Sequence, residues 1–245
     1  MTQHLKLAAD INGRQVDREA VLAWEHARAE KVLKFLGAPA SAREGGVDVL
    51  RARLFELKRT IGPAELQRRV VSRTRVGDAI STVAARLARG RRVQSAIRIR
   101  VPSGDAGAFA DWFNAESALV DSDAMLAACP DHYFIGEDDQ GRQKVIETTG
   151  GSPLPTEFFI DYADLSSLTT PASPDYPIQI AGVARTASGL AIGGVRHQFR
   201  NLPEGGFEAW NTIEFPNNVG SRIVSGHRWH LACEFGNWIE AQQTL

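Results

Sequence analysis

Residues 93–101 read Val-Gln-Ser-Ala-Ile-Arg-Ile-Arg-Val, and they mark the point where the periodicity of the chain changes. Val93, Ser95, Ile97, Ile99 and Val101 alternate with Gln94, Ala96, Arg98 and Arg100. A period of two puts one set on each face of a strand, so this stretch is a half-buried strand, ended by Pro102. Upstream the spacing is helical. Asp17 is placed to cap a helix that runs to Leu36, with Gly37 and Pro39 closing it. Val47, Leu50, Leu54, Leu57 and Ile61 form a second apolar stripe, which must pack on something and which Gly62-Pro63 stops. Val76, Ile80, Val83 and Leu87 share a face of a third helix ending at Gly90. Residues 14–90 thus read as three or four amphipathic helices.

Downstream, helical spacing returns briefly around Phe109, Trp112 and Phe113, and a short second helix reaches Ala128. After Pro130 the chain reads as strands at His132–Gly136, Lys144–Thr148, Thr156–Tyr162, Ile178–Thr186, Leu190–Phe199 and Phe207–Phe215. Asp138-Asp139-Gln140-Gly141 and Ser188-Gly189 are hairpin turn signals, and the Ser/Thr/Pro-rich segment Leu165–Pro177 is a loop. Ser225–Gln243 fits strand or helix; its length and lack of turn residues favour a helix with Leu231, Phe235, Trp238 and Ile239 as the apolar stripe. The expected class is α+β, with an all-helical, Arg-rich region 1–92 and a β-rich domain 93–245.

Bulk properties exclude several classes of function. The 245 residues carry a net charge of -1, which gives no overall pull toward nucleic acid or an acidic membrane, and no apolar run approaches the ~20 residues of a membrane span. Two cysteines, Cys129 and Cys233, are too few for a disulfide framework and lack CxxC spacing. With no signal pattern in residues 1–10, they read as reduced thiols of a soluble cytoplasmic protein. The balance hides an asymmetry, because residues 51–100 hold a dense series of arginines opposed only by Glu56, Glu65 and Asp78. Around Arg73 and Arg75 the pattern loosely resembles a helix-turn-helix. Its turn lacks a clear glycine and its helices lack aromatic residues, so solvated helix faces are expected and nucleic acid is not an expected partner.

The chemistry lies in the second half. His230 and Glu234 stand at i and i+4, which on a helix projects both from one face toward a shared ion. A turn at Asp138–Gly141 sets His132 directly opposite Glu147, with Cβ atoms about 5 Å apart. Either pair alone is readable as a plain His–Glu contact. Together, two imidazoles and two carboxylates from a hairpin and a helix suit Zn2+, with Fe2+ or Mn2+ as alternatives. One face of the hairpin after Pro177 carries Ile180, Gly182, Ala184, Gly193, Val195, His197 and Ala209, residues small enough to leave a cavity beneath the last helix. His197 is its polar exception and the candidate general acid/base, with Asn211 nearby; a buried, satisfied histidine is the other reading.

The motifs DAMLAACPDHY (123–133), VIETTGG (145–151), GGVRHQF (193–199) and HLACEFGNW (230–238), in this order, resemble the diacetylphloroglucinol hydrolase family, which includes phloretin hydrolase. The resemblance covers roughly residues 105–243. It implies a Bet v 1-like helix-grip, a curved antiparallel sheet around a long C-terminal helix. It also implies zinc held by His132, Glu147, His230 and Glu234, with Glu157 as the alternative to Glu147, and His197 as the histidine of the family's G-x-x-H strand. The implied activity is hydrolysis of a carbon–carbon bond next to a ketone, in an acylphloroglucinol-like aromatic ketone or β-diketone. The chain departs from the family at Asp123-Ala124-Met125-Leu126, where a phenol-binding tyrosine has no counterpart, and at Phe134-Ile135, where an amide residue is expected. A non-catalytic ligand-binding protein and a ligand-sensing DNA-binding regulator remain the alternatives, and a homo-oligomer stays open.

Overall fold

The computed structural model describes residues 4–138, 140, 142–150 and 152–244. The strand read at Val93 is the hinge of the architecture. It forms Arg92–Val101 (β3) and pairs along its full length with Phe207–Pro216 (β9). From β9 an antiparallel meander runs back through Ala191–Asn201 (β8), Ile178–Arg185 (β7), Thr156–Asp161 (β6), Gln143–Glu147 (β5) and His132–Glu137 (β4). The other edge of β3 accepts a hairpin from the N-terminal region, Ala8–Ile11 (β1) and Arg14–Asp17 (β2). Its loop is Asn12-Gly13, with φ of 59° and 73°, both left-handed as a two-residue type I′ turn requires.

Six α-helices stand among the described residues: Arg18–Phe35 (α1), Val47–Ile61 (α2), Pro63–Ala88 (α3), Ala106–Ser117 (α4), Asp123–Ala127 (α5) and Ser221–Gln243 (α6). The Asp17 side chain caps α1 by accepting from the Ala20 amide, as the sequence predicts. Gly62-Pro63 separates α2 from α3, and the proline supplies the first position of α3, where its missing N–H is harmless. Asp139 and Gly141 of the expected turn lie outside the described residues. No helix among the described residues is long and apolar enough to cross a membrane.

Two expectations about the fold are corrected. The N-terminal region is not all-helical, since β1 and β2 extend the sheet to nine strands. Nor is the architecture a helix-grip, in which a sheet alone wraps the last helix. Every residue of α6 from His230 to Ile239 is buried, and a helix buried all round must be covered on all sides. The sheet and α4 cover one part of it, and α1 covers another. The N-terminal helix α1 therefore belongs to the core that encloses α6.

Two apolar clusters hold the layers. The larger lies between the sheet and α4, α5 and α6, with Phe109 packed among Phe113, Phe199, Phe207 and Phe235. The smaller joins Leu33, Leu50, Leu54, Leu66 and Val70 of α1–α3 to Tyr133 and Ile146 on the outer face of β4 and β5. This explains why Val145-Ile146-Glu147 shows no clean alternation, because both faces of β5 are covered.

The apolar stripe of α3 departs from its expected role. The helix buries Leu66, Val70, Thr74, Gly77, Ala85 and Ala88, whereas Val76, Ile80, Val83 and Leu87 remain exposed. Gly77 is what lets α3 lie against β6, since a Cβ there would collide with the Pro155 carbonyl. Helix propensity alone predicts that Gly77→Ala stabilises the protein by up to about 1 kcal/mol. The close approach predicts the opposite sign, a net loss of about 1–2 kcal/mol from overpacking, measurable as a lower urea midpoint at unchanged slope.

Candidate metal centre

His132, Glu147, His230 and Glu234 converge in the interior, where β4, β5 and α6 meet. The His132 Nε2 atom lies 3.2 Å from His230 Nε2, 3.0 Å from Glu234 Oε2 and 3.8 Å from Glu147 Oε2. His230 Nε2 lies 3.6 Å from Glu147 Oε2 and 3.4 Å from Glu234 Oε2. A tetrahedral ion with bonds of about 2.0–2.1 Å has donor–donor edges of about 3.3 Å. These separations straddle that length, so the four groups could hold a metal ion.

The protonation pattern points the same way. His132 Nδ1 sits 2.8 Å from the Met125 carbonyl oxygen, which only accepts, so the ring proton is at Nδ1 and a neutral ring has its lone pair at Nε2. That lone pair faces an imidazole nitrogen and a carboxylate oxygen. Burial works against charge on His230, but Cys129, Glu147 and Glu234 attract positive charge strongly enough to hold its pKa well above the ordinary value. Burial likewise opposes ionisation of Glu147 and Glu234, and His230 overcomes it, holding both below the usual carboxylate range. A shared cation satisfies all four groups at once.

Each ligand is placed by a local feature. His230 and Glu234 are adjacent on α6 because 3.6 residues make a turn. His132 pairs with Glu147 through a β-bulge at Tyr133, beyond which the ladder continues as Phe134 with Ile146 and Ile135 with Val145. The chain after Glu147 passes against α6 at Gly150, where a Cβ would meet the Gly226 carbonyl and come within 2.9 Å of His230 Cβ. Gly151 of the same motif lies outside the described residues. Glu157 stands apart from the cluster, with its carboxylate 2.9 Å from Lys144 Nζ and its amide donating to Asp78.

The surrounding shell is drawn largely from residues that the sequence reading left without a role. Arg28 of α1 holds buried Asp131, next to His132, with contacts of 2.8 and 2.5 Å. Trp24 packs edge-on against His230, Trp238 lies over His132, and His227 stacks on His230 with 10° between the rings. Lys58 of α2 is fully buried under the Leu126 and Cys129 carbonyls, and burial lowers its pKa to about 8. Buried Glu25 takes two contacts from Arg51 and one from Asn237, tying α1, α2 and α6 together. Long-range pairs of this kind leave no periodic trace in a sequence.

A cavity of ≈ 380 Å³ adjoins the cluster, and Glu147 and Glu234 form part of its wall. Most of the lining is apolar, including Phe113, Val145, Phe158, Ile160, Val195 and Ile213. His197 lines it from β8, between Ile180 and Asn211 in the strand register, and rests against Phe113 and Phe235. Its Nδ1 has no hydrogen-bond partner among the described residues. Tyr162 and Gln143 also line the cavity, the tyrosine hydroxyl donating to Gln143 Oε1 at 2.6 Å. The sequence reading passed over Tyr162, although its place at the end of the predicted strand 156–162 is a signal that could have found it.

A comparison with the families of known proteins and with characterised individual proteins finds no match.

Two outcomes follow from the geometry. A metal ion held by the cluster, with Zn2+ as the probe supplied at about a hundred times its dissociation constant, would stabilise the folded state by about 2.7 kcal/mol, a rise in Tm of roughly 5–10 °C for a chain of this size. Differential scanning fluorimetry should show that rise for the wild type and none for His132→Ala or His230→Ala. Burial holds the His197 pKa down to about 4, against 6.5 for an exposed ring. On acidification the unfolded chain therefore takes up this proton first, so the contribution is intact above pH 6.5 and is lost between 6.5 and 4. His197→Gln should flatten that part of the urea-unfolding stability profile by up to about 3 kcal/mol.

Proposed function

We propose that this chain is a zinc-dependent hydrolase that cleaves a carbon–carbon bond next to a ketone in an acyl-phenol or β-diketone-like small molecule. The observation that carries the reading is that Glu147 and Glu234 belong both to the four-donor cluster and to the wall of the cavity. A ligand in the cavity is thus brought to the donor set. Mixed imidazole and carboxylate donors favour zinc over magnesium or calcium, which prefer oxygen alone. When bound there, zinc supplies Lewis acidity toward a carbonyl and lowers the pKa of water toward ~7.

The side chains supply the rest. The apolar lining from Phe113, Phe158, Ile160 and Ile213 keeps bulk water from the reacting bond. Hydrolysis adds the hydroxyl of water to the acyl carbon, breaks the bond from that carbon to the ring or α-carbon, and needs a proton on the departing carbon. His197 is neutral at physiological pH because of its burial, so it can take the proton that the attacking water releases and, as the imidazolium so formed, pass it to the departing carbon. Tyr162, hydrogen-bonded to Gln143, presents a phenol hydroxyl at the cavity wall and can orient a substrate oxygen. That placement supports an acyl-phenol despite the missing tyrosine upstream of His132. The resemblance of residues 105–243 to the diacetylphloroglucinol hydrolases supports the same class of reaction.

The test combines metal content by mass spectrometry with turnover of an acyl-phenol panel. About one zinc per chain is expected in the wild type and none in the His230→Ala/Glu234→Ala variant, with turnover lost alongside the metal. His197→Asn should keep the metal while kcat falls about 10²–10⁴-fold. Full turnover in the metal-free variant would refute the reading.

A further inference from the structure

The apolar stripe of α3 is exposed although its helix is long and firmly seated. Val76, Ile80, Val83 and Leu87 are 51, 57, 55 and 66% exposed, and their spacing places them on one face over about 17 Å of helix. The stripe is bounded on one side by the body of the protein. On the other side run Arg75 and Arg86, 100° per residue placing both on the adjoining face. Neither they nor Arg89 make an ion pair among the described residues, whereas Arg68 and Arg69 are paired with Glu65. Asp78, the one other acid of α3, faces away and accepts from the Glu157 amide. The net charge of the whole chain conceals this local excess of positive charge.

The stripe is also continuous with the cavity. Ile80 both lines the cavity and is more than half exposed, so the mouth opens beside it. Across the mouth, Pro153, Leu154, Val219 and Ile223 line the cavity and are partly or fully exposed. An apolar rim joined to an apolar helix face and edged by unpaired arginines matches the surface by which an amphipathic helix lies in an anionic bilayer interface. A second copy of the chain fits less well, because pairing α3 with itself would bring its Arg75–Arg86 edge close to the same edge of the partner.

We propose that α3 docks the protein on an anionic lipid surface, with the mouth of the cavity turned toward the acyl chains, so that the cavity takes apolar compounds dissolved in the bilayer. The inference rests on the surface of α3 and on where the cavity opens, independently of whether the donor cluster holds zinc.

Co-sedimentation of the full chain with sucrose-loaded vesicles tests it. The wild type is expected to pellet with equal parts phosphatidylglycerol and phosphatidylcholine at low salt, and to be released at high salt or from phosphatidylcholine alone. Arg75→Glu/Arg86→Glu and Val83→Asp/Leu87→Asp should each weaken partitioning about tenfold or more, with circular dichroism and metal content unchanged. All four side chains are exposed and lie outside the cavity lining, so both variants keep the site intact. Wild type that stays in the supernatant with anionic vesicles overturns the proposal, as do variants that bind like the wild type. Sedimentation velocity gives the remaining outcome. A wild-type dimer dissociated by Val83→Asp/Leu87→Asp would assign the stripe to a second copy and overturn lipid docking.

Discussion

Glu147 and Glu234 are carried into the same buried space, one at the end of a strand and the other on a helix, and their mutual repulsion is strongest where water is excluded. That repulsion must be offset by positive charge, and much of the surrounding architecture serves to hold such charge in place. His132 and His230 stand between the carboxylates, and the Met125 carbonyl fixes the tautomer of the first. Around them Arg28 with Asp131, and Arg51 with Glu25, are ion pairs that burial strengthens and that also anchor α1 and α2. A buried pair of this kind adds little net stability over an apolar replacement, but it is costly to break on one side. It therefore selects a single arrangement of the helices around the cluster.

The donor cluster and the cavity meet at Glu147 and Glu234. The four donors come from β4, β5 and the buried stretch of α6. The walls of the cavity are drawn from those same elements and from α3–α5 and β6–β9, and the outer face of α3 is open. Most of that lining is apolar, so shape and apolar contact dominate what the cavity can accept.

How much of this could be read from the sequence depended on the range of the interaction. The His230–Glu234 pair was legible because i, i+4 spacing has one meaning on a helix. His132 opposite Glu147 is also legible from a plain hairpin, but only because a register shift and a bulge offset each other. Phe134–Glu137 pair with Ile146–Gln143 one residue out of the register that sets His132 opposite Glu147, and the bulge at Tyr133 restores it. The Asn12-Gly13 hairpin carried a strong turn signal, yet its strands are four residues each and were absorbed into a helical reading of the region. On α3 the apolar period was plain, but periodicity does not say whether a face is covered. The helical cover on α6 could not be seen at all, since it depends on Arg18, Glu25 and Arg51 reaching residues far away in the chain.

The strand order has a consequence for how the protein is made. His132 and Glu147 lie on a hairpin that can form early, yet their partners on α6 are about a hundred residues further along. β3 likewise waits for β9 before its inner edge is paired. During synthesis the first two donors are therefore displayed together without the second two, on an unprotected β-edge, for as long as the intervening strands take to emerge. Closure of the interior is a late step of high contact order, and only then do the donors share one dry compartment. Until that moment the nascent chain holds His132 and Glu147 together without the other two groups, so a four-donor site able to hold an ion exists only in the finished fold.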